Sequence, residues 1–108
     1  MSGVLQTIQS LVGKGNLQIS RHGYRELAAD DILVADVIGG VEFAVAIEAY
    51  PNAVRGPSVL VIQRDRSGEP LHILWGMPKG QEGIAVLITA YRPDPARWSS
   101  DFKTRIKT

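Results

Sequence analysis

The sequence predicts an α+β fold in which N-terminal helices pack on a four-stranded antiparallel β-meander. Apolar residues recur at helical spacing in the first 40 positions and change to β-type runs after residue 43. The predicted strands follow one another across short turns instead of alternating with helices, which favours an antiparallel sheet over a parallel one. At 108 residues, the chain is expected to form one domain, residues 1–108.

The N-terminal half is predicted to hold three helices. The first carries an apolar stripe of Val4, Leu5, Ile8, Leu11 and Val12. A short extended segment, Leu17–Ser20, precedes a second helix over Arg21–Ala28. Asp30 or Asp31 is expected to cap a third helix, which ends at the glycine pair 39–40.

The C-terminal half is predicted to hold four strands, which are Phe43–Ala49, Ser58–Gln63, Leu71–Trp75 and Ile84–Tyr91. Pro93 and Pro95 end the sheet, because proline cannot donate a hydrogen bond to a strand ladder. The tail from Arg97 onward is polar and basic, and a short helix is one structure that it could form. Trp75 and Trp98 fit core and lid positions better than base-stacking positions.

Composition excludes several classes of protein. The chain has no cysteine and two histidines, so we expect no disulfide, no metal site and no cofactor, and a reducing compartment. No apolar run is long enough to span a membrane and no signal peptide is evident, which predicts a cytoplasmic protein. Residues 1–54 carry three basic against six acidic side chains, and residues 55–108 carry nine against five. The basic half fits either phosphate contacts or solvated surface arginines.

A polar cluster is predicted at one end of the sheet. If Asp65 faces Pro70 across the hairpin turn, then Gln63 faces His72. If His72 also faces Thr89 in the next pair, four polar side chains share a face: Gln63, His72, Thr89 and Tyr91. This cluster is either a small active site or a half-exposed cross-strand group with no function, and a one-residue slip would remove His72 from it.

A second candidate site lies at the start of the second helix. His22 stands beside Arg21 and Arg25, and neighbouring cations favour the neutral form of histidine, which suits a general base. Two arginines at a helix N-terminus also suit a phosphate. The alternative is that His22 is a surface or packing residue.

Several segments, taken in order, resemble one known family. They are Ile19–Gly23, Asp31-Ile32, Glu48–Pro51, Arg55–Val61, Gly68–Ile73 and Ile88–Trp98. Over about residues 17–105 the chain resembles the bacterial domain-of-unknown-function family four-two-five-eight. That family is similar to the RelE-like ribonucleases of the barnase, EndoU, colicin and RelE fold group, whose members resemble toxins paired with a small antitoxin.

The resemblance implies a site and one departure from it. The polar signature of the family falls on His22, His72, Thr89 and Tyr91. The family usually has an arginine four residues after the helix histidine, where this chain has Glu26. If that arginine neutralises phosphate, the chain is a weakened or non-catalytic member.

Two interpretations of function follow. The first is a metal-independent endoribonuclease of the toxin–antitoxin type, with RNA and a cognate antitoxin as partners and His22 and His72 as an unassigned acid–base pair. Thr89 and Tyr91 would orient the phosphate. The expected substrate-binding residues are Arg21, Arg25, Arg64 and Gln63. The second interpretation is a non-catalytic protein- or RNA-binding domain on the same fold.

Overall fold

The computed structural model describes residues 3–81 and 83–107, and within them three α-helices and a five-stranded sheet. The elements in chain order are α1 (Gly3–Gly13), β1 (Leu17–Ile19), α2 (Arg21–Ala29), α3 (Val34–Gly40), a single 3₁₀ turn (Val41–Phe43), β2 (Val45–Tyr50), β3 (Ser58–Arg64), β4 (Pro70–Gly76) and β5 (Ala85–Tyr91).

The sheet differs from the predicted four-stranded antiparallel meander. Its strand order is β1-β5-β4-β3-β2, and β1 pairs parallel to β5. Backbone bonds from Ala85 N to Asn16 O and from Ser20 N to Leu87 O, both 3.0 Å, extend this pairing at either end of β1. The sheet is therefore mixed, and the prediction was wrong in strand number and in strand direction. A three-residue extended segment carries too little periodic pattern to indicate a partner.

A serine and a glycine fix α2 against β5. The Ser20 hydroxyl accepts from Gly23 N (2.9 Å) and donates to Ile88 O (3.0 Å), so the helix cap is also a contact to the strand. A Cβ at Gly23 would lie 2.8 Å from Leu87 Cδ2 and 2.9 Å from Leu87 O. Only glycine allows the helix to approach the sheet this closely.

The start of α3 differs from the prediction. The helix follows Leu33, which makes no side-chain cap bond, and neither Asp30 nor Asp31 caps it. Asp30 instead ends α2, and its carboxylate accepts a 2.8 Å bond from Arg92 N. The Arg92 guanidinium also donates to Asp65 Oδ2 at 3.0 Å, so it ties the end of α2 to the β3–β4 turn.

The two faces of the sheet are covered differently. On the face that we call the helix side, the helices bury an apolar core that includes Ile8, Val37, Val59, Val61, Leu71, Ile73, Trp75 and Leu87. The other face is covered by residues 94–106, which we call the C-terminal strap, so we call this face the strap side. None of the helices in the described residues is long and apolar enough to cross a membrane.

The strap is a tight hairpin instead of the short helix considered from the sequence. Trp98 forms an isolated antiparallel bridge with Arg105. Backbone bonds from Ser99 N to Thr104 O (2.8 Å) and from Ile106 N to Arg97 O (2.9 Å) close the hairpin. Residues 94–106 are mostly polar and show no apolar periodicity, so the sequence does not indicate the strap.

Candidate functional site

The β3–β4 turn sets which side chains share a face with His72. Asp65 N donates to Glu69 O at 2.9 Å, so the loop contains three residues, with Gly68 in the left-handed region (φ 83°). Asp65 therefore faces Glu69, not Pro70, and Ile62 faces His72. The predicted register was wrong by one residue, and this slip moves Gln63 to the helix side.

Thr89 and Tyr91 do share the face of His72. In the β4–β5 ladder, His72 pairs with Tyr91 and Leu74 pairs with Thr89. The predicted partner of His72 was Thr89, which is two residues from the observed one. Because side chains alternate with a period of two, an error of two residues leaves them on the same face.

His72 is completely buried and both its ring nitrogens are hydrogen-bonded. Its Nε2 lies 2.8 Å from the carbonyl oxygen of Phe102, which can only accept, so Nε2 carries the proton. Nδ1 then accepts from the Tyr91 hydroxyl at 3.1 Å. Edge-on contacts to Tyr91 and to Trp98, at centroid distances of 5.2 and 4.3 Å, complete the surroundings. Among the described residues, the strap thus supplies two of the hydrogen-bond and ring partners of the imidazole, Phe102 and Trp98.

The enclosure favours the neutral form of the ring. Burial lowers the pKa of His72, and the nearby Arg105 cation lowers it further, while the bond to the Phe102 carbonyl acts in the opposite direction. Burial also raises the pKa of Tyr91, so its hydroxyl stays protonated and donates to Nδ1. The pair is a neutral base with a phenol in direct contact.

An ion pair fastens the strap to the edge strand β2. Arg105 donates from Nε to Glu48 Oε2 at 2.7 Å and from Nη2 to Glu48 Oε1 at 3.0 Å. The guanidinium also stacks 4.7 Å from the centre of the Trp98 ring. The bond from Arg105 holds the pKa of Glu48 below its usual value, and the Tyr50 hydroxyl donates to the same carboxylate at 2.5 Å.

Arginines border an open concavity beside this cluster. It has a volume of about 1050 Å³, and its lining includes Tyr91, Trp98, the acidic Asp94 and three arginines, which are Arg92, Arg97 and Arg105. The side chain of Arg97 is 83% exposed and that of Arg105 is 60% exposed. Planar guanidinium groups on a concave surface suit phosphate groups.

The other predicted site residues lie elsewhere. His22, Arg21 and Arg25 are exposed on α2, which packs on the helix side, and His22 Nε2 is 3.8 Å from Glu26 Oε1. The sheet therefore separates His22 from His72, and the two do not form a pair. Glu26 thus brings a carboxylate close to His22.

Two predicted substrate-binding residues have structural contacts. Gln63 is buried on the helix side, where its Nε2 donates to Val37 O at 3.0 Å and its Oε1 has no partner among the described residues. Arg64 is exposed at the end of β3, and its Nη1 donates to Gly68 O at 3.2 Å. In residues 3–81 and 83–107, no group of three or more His, Cys, Asp and Glu side chains is placed to hold a metal ion.

The sequence did not indicate Glu48, Phe102 or Arg105. Glu48 lies in one of the segments that carry the family resemblance, but it is 57 positions from Arg105 and Phe102 contributes only a backbone carbonyl, so no local pattern pairs them. The lid position expected for Trp98 was the one available signal. Trp98 is 5% exposed and covers His72.

Comparison with known protein families identifies the family of this chain. A family model described as "Domain of unknown function (DUF4258)" matches residues 19–92, which include α2, α3 and β2 to β5 and end just before the strap. No curated protein and no solved structure matches the chain. Because the family model covers more than half of the sequence, the chain belongs to the DUF4258 family.

Proposed function

We propose that this protein is a metal-independent endoribonuclease of the RelE-like toxin type and that its strap side is the active face. The observation that carries the proposal is the His72–Tyr91 pair, in which a neutral imidazole and a protonated phenol lie 3.1 Å apart beside a concavity lined by arginines. A base, an acid and cations are what RNA cleavage without a metal requires.

The proposed reaction uses the 2′-hydroxyl of the RNA itself. His72 takes the 2′-hydroxyl proton, the 2′-oxygen attacks phosphorus, and the bond from phosphorus to the 5′-oxygen breaks. The departing 5′-oxygen takes the hydroxyl proton of Tyr91, which leaves a 2′,3′-cyclic phosphate and a 5′-hydroxyl, and the proton held by His72 then returns to Tyr91. His22 lies across the sheet, so Tyr91 is the group that serves as the second proton carrier. Arg105 and Arg97 stabilise the charge on the phosphate.

The test is cleavage of a mixed RNA substrate in excess EDTA. Because acid–base groups contribute about 10²–10⁴-fold each, His72→Gln should slow cleavage by about that factor while keeping an amide that can bond to the Phe102 carbonyl. His22→Ala is the matched control, since it removes an exposed histidine from the other side of the sheet, and it should cleave at the wild-type rate. Undiminished cleavage by His72→Gln would refute its assignment.

A second candidate function is a non-catalytic protein- or RNA-binding domain. The specific observation in its favour is that His72 is 0% exposed and both its nitrogens are engaged, so no substrate reaches it while the strap is closed. The edge strand β2 offers Val45 and Tyr50, 46% and 43% exposed, to a partner such as an antitoxin. RNA that is bound by the wild type but never cut would favour this function.

A further inference from the structure

We infer that Arg105 is a binding site for a phosphodiester, which replaces the Glu48 carboxylate and thereby releases the strap from His72. Arg105 offers a planar fork of donors that fits a carboxylate and a phosphate in the same two-bond geometry. In this structure the fork is filled by Glu48, and the ring of Trp98 supports the guanidinium from one face. The site is therefore built, and its resident anion belongs to the protein.

The bound carboxylate is within reach of a competitor. The side chain of Arg105 is 60% exposed and that of Glu48 is 26% exposed, so the pair lies at the surface. A single free anion would compete poorly, because an intramolecular group acts at an effective concentration of about millimolar. A nucleic-acid strand presents several phosphates, and Arg97 supplies a second cation, whose one ion-pair contact within the described part of the chain is to Asp94 at 3.8 Å. This arrangement favours a chain of phosphodiesters over a monoanion.

Loss of the ion pair would loosen the rest of the strap. The strap contacts the sheet through Arg105, through the buried Trp98 ring and through the Phe102 carbonyl on His72. Phe102 has a φ of 60°, a left-handed conformation that is costly for a residue with a side chain. These few contacts, together with the strained residue at its tip, make the hairpin a small unit able to open locally.

Opening matters because the phosphate that binds Arg105 arrives next to the histidine. A ligand shifts a conformational equilibrium only by its preference for one state, and a phosphate on Arg105 is compatible only with the state in which Glu48 has left. The catalytic consequence, exposure of His72 to RNA, rests on the proposed function. The exchange of anions at Arg105 does not.

The first experiment measures binding of a DNA hexanucleotide, which carries phosphodiesters but has no 2′-hydroxyl to react. Because Glu48→Gln removes the competing charge and leaves the shape, affinity should rise about tenfold, and because Arg105→Ala removes the receptor, affinity should fall about tenfold. Lys14→Ala is the matched control, since it deletes an exposed cation just after α1 and outside every candidate site, and it should bind like wild type. Unchanged affinity in Glu48→Gln would overturn the inference.

The second experiment reads the strap directly. The chain has two histidines, so acylation by diethylpyrocarbonate reports on buried His72 against exposed His22 in the same molecule. In the wild type, His72 should react more slowly than His22. In Glu48→Gln, which lacks the ion pair to Arg105, His72 should react several-fold faster than it does in the wild type. Circular dichroism confirms that the variant is folded. Equal protection of His72 in both proteins would refute the claim that the Glu48–Arg105 ion pair holds the strap over His72.

The two proposals fail separately. If Glu48→Gln binds DNA more tightly and exposes His72 but no RNA is cut, the anion site stands and the nuclease does not. If RNA is cut in EDTA and Glu48→Gln changes neither binding nor exposure, the nuclease stands and the anion site does not.

Discussion

The two faces of the sheet differ in the segments that cover them and in how strongly those segments are held to the sheet. On the helix side, fully buried apolar residues such as Ile73 and Trp75 pack under three helices. On the strap side, a hairpin of 13 residues (94–106) covers a histidine, a tyrosine and an ion pair. Apolar burial accounts for most folding free energy, whereas exposed ion pairs contribute little. The comparison assigns stability to one face and adjustable polar chemistry to the other.

Two isoleucines test this comparison with the largest expected effect. Ile73 (0% exposed) lies on the helix side and Ile62 (6% exposed) lies on the strap side. Truncation of a buried isoleucine costs about 2–5 kcal/mol, and the cost is lower where the surroundings can collapse into the cavity. Ile73→Ala should therefore lower the free energy of unfolding by about 4 kcal/mol, and Ile62→Ala by about 2 kcal/mol. Urea denaturation measures both.

The matched chemistry of the two variants is the control. If Ile62→Ala costs as much as Ile73→Ala, the strap side is as rigidly packed as the helix side. The strap would then not open as a local unit.

Substitutions at two glycines, Gly23 and Gly39, test how closely the helices pack against the sheet. A Cβ at Gly23 would lie 2.9 Å from the Leu87 backbone oxygen, and a Cβ at Gly39 in α3 would meet nothing within 4 Å. Gly23→Ala should cost about 1–3 kcal/mol, because α2 must move away from β5. Gly39→Ala should be neutral or stabilising by up to about 1 kcal/mol, since alanine favours a helix. Thermal unfolding distinguishes them, and a neutral Gly23→Ala would show that α2 packs loosely.

Periodicity predicted the elements on the helix side well. The second helix was expected over Arg21–Ala28 and spans Arg21–Ala29, and the strand expected over Ser58–Gln63 spans Ser58–Arg64. Apolar faces buried in a core leave a regular pattern in the sequence. The three-residue strand β1 leaves too short a pattern, so its parallel pairing was missed.

The strap side was predicted only in part, for geometric reasons. His72, Thr89 and Tyr91 were correctly placed on one face because the predicted register was wrong by two residues, and a shift of two residues keeps a side chain on the same face. Gln63 was misplaced because the register depends on the number of residues in the turn before Glu69. Composition does not predict that number with an accuracy of one residue. The partnership of Glu48 with Arg105 depends on how the strap folds back, which no local pattern encodes.

The smallest predicted effect is a pH dependence that originates at His72 on the strap side, between pH 5.5 and pH 7.5. The folded chain lowers the pKa of His72 from 6.5, so below about that pH the unfolded chain binds a proton that the folded chain resists. The stability contributed by neutral His72 is present above pH 6.5 and is lost as the pH falls towards its folded pKa. Glu48 acts in the same direction at lower pH, because its pKa lies below 4.5. One proton limits the slope to about 1.4 kcal/mol per pH unit.

Urea denaturation at pH 7.5 and at pH 5.5 measures this slope in three proteins. Wild type should lose stability at the lower pH, and His72→Gln should lose less, because the titrating group is gone. Ile73→Ala should lower stability equally at both values and keep the wild-type slope, since the helix side carries no titrating group in its apolar core. An unchanged slope in His72→Gln would mean that the protons are taken up elsewhere. The retained slope in Ile73→Ala, set against its large loss of stability, is what would show that the two faces contribute independently.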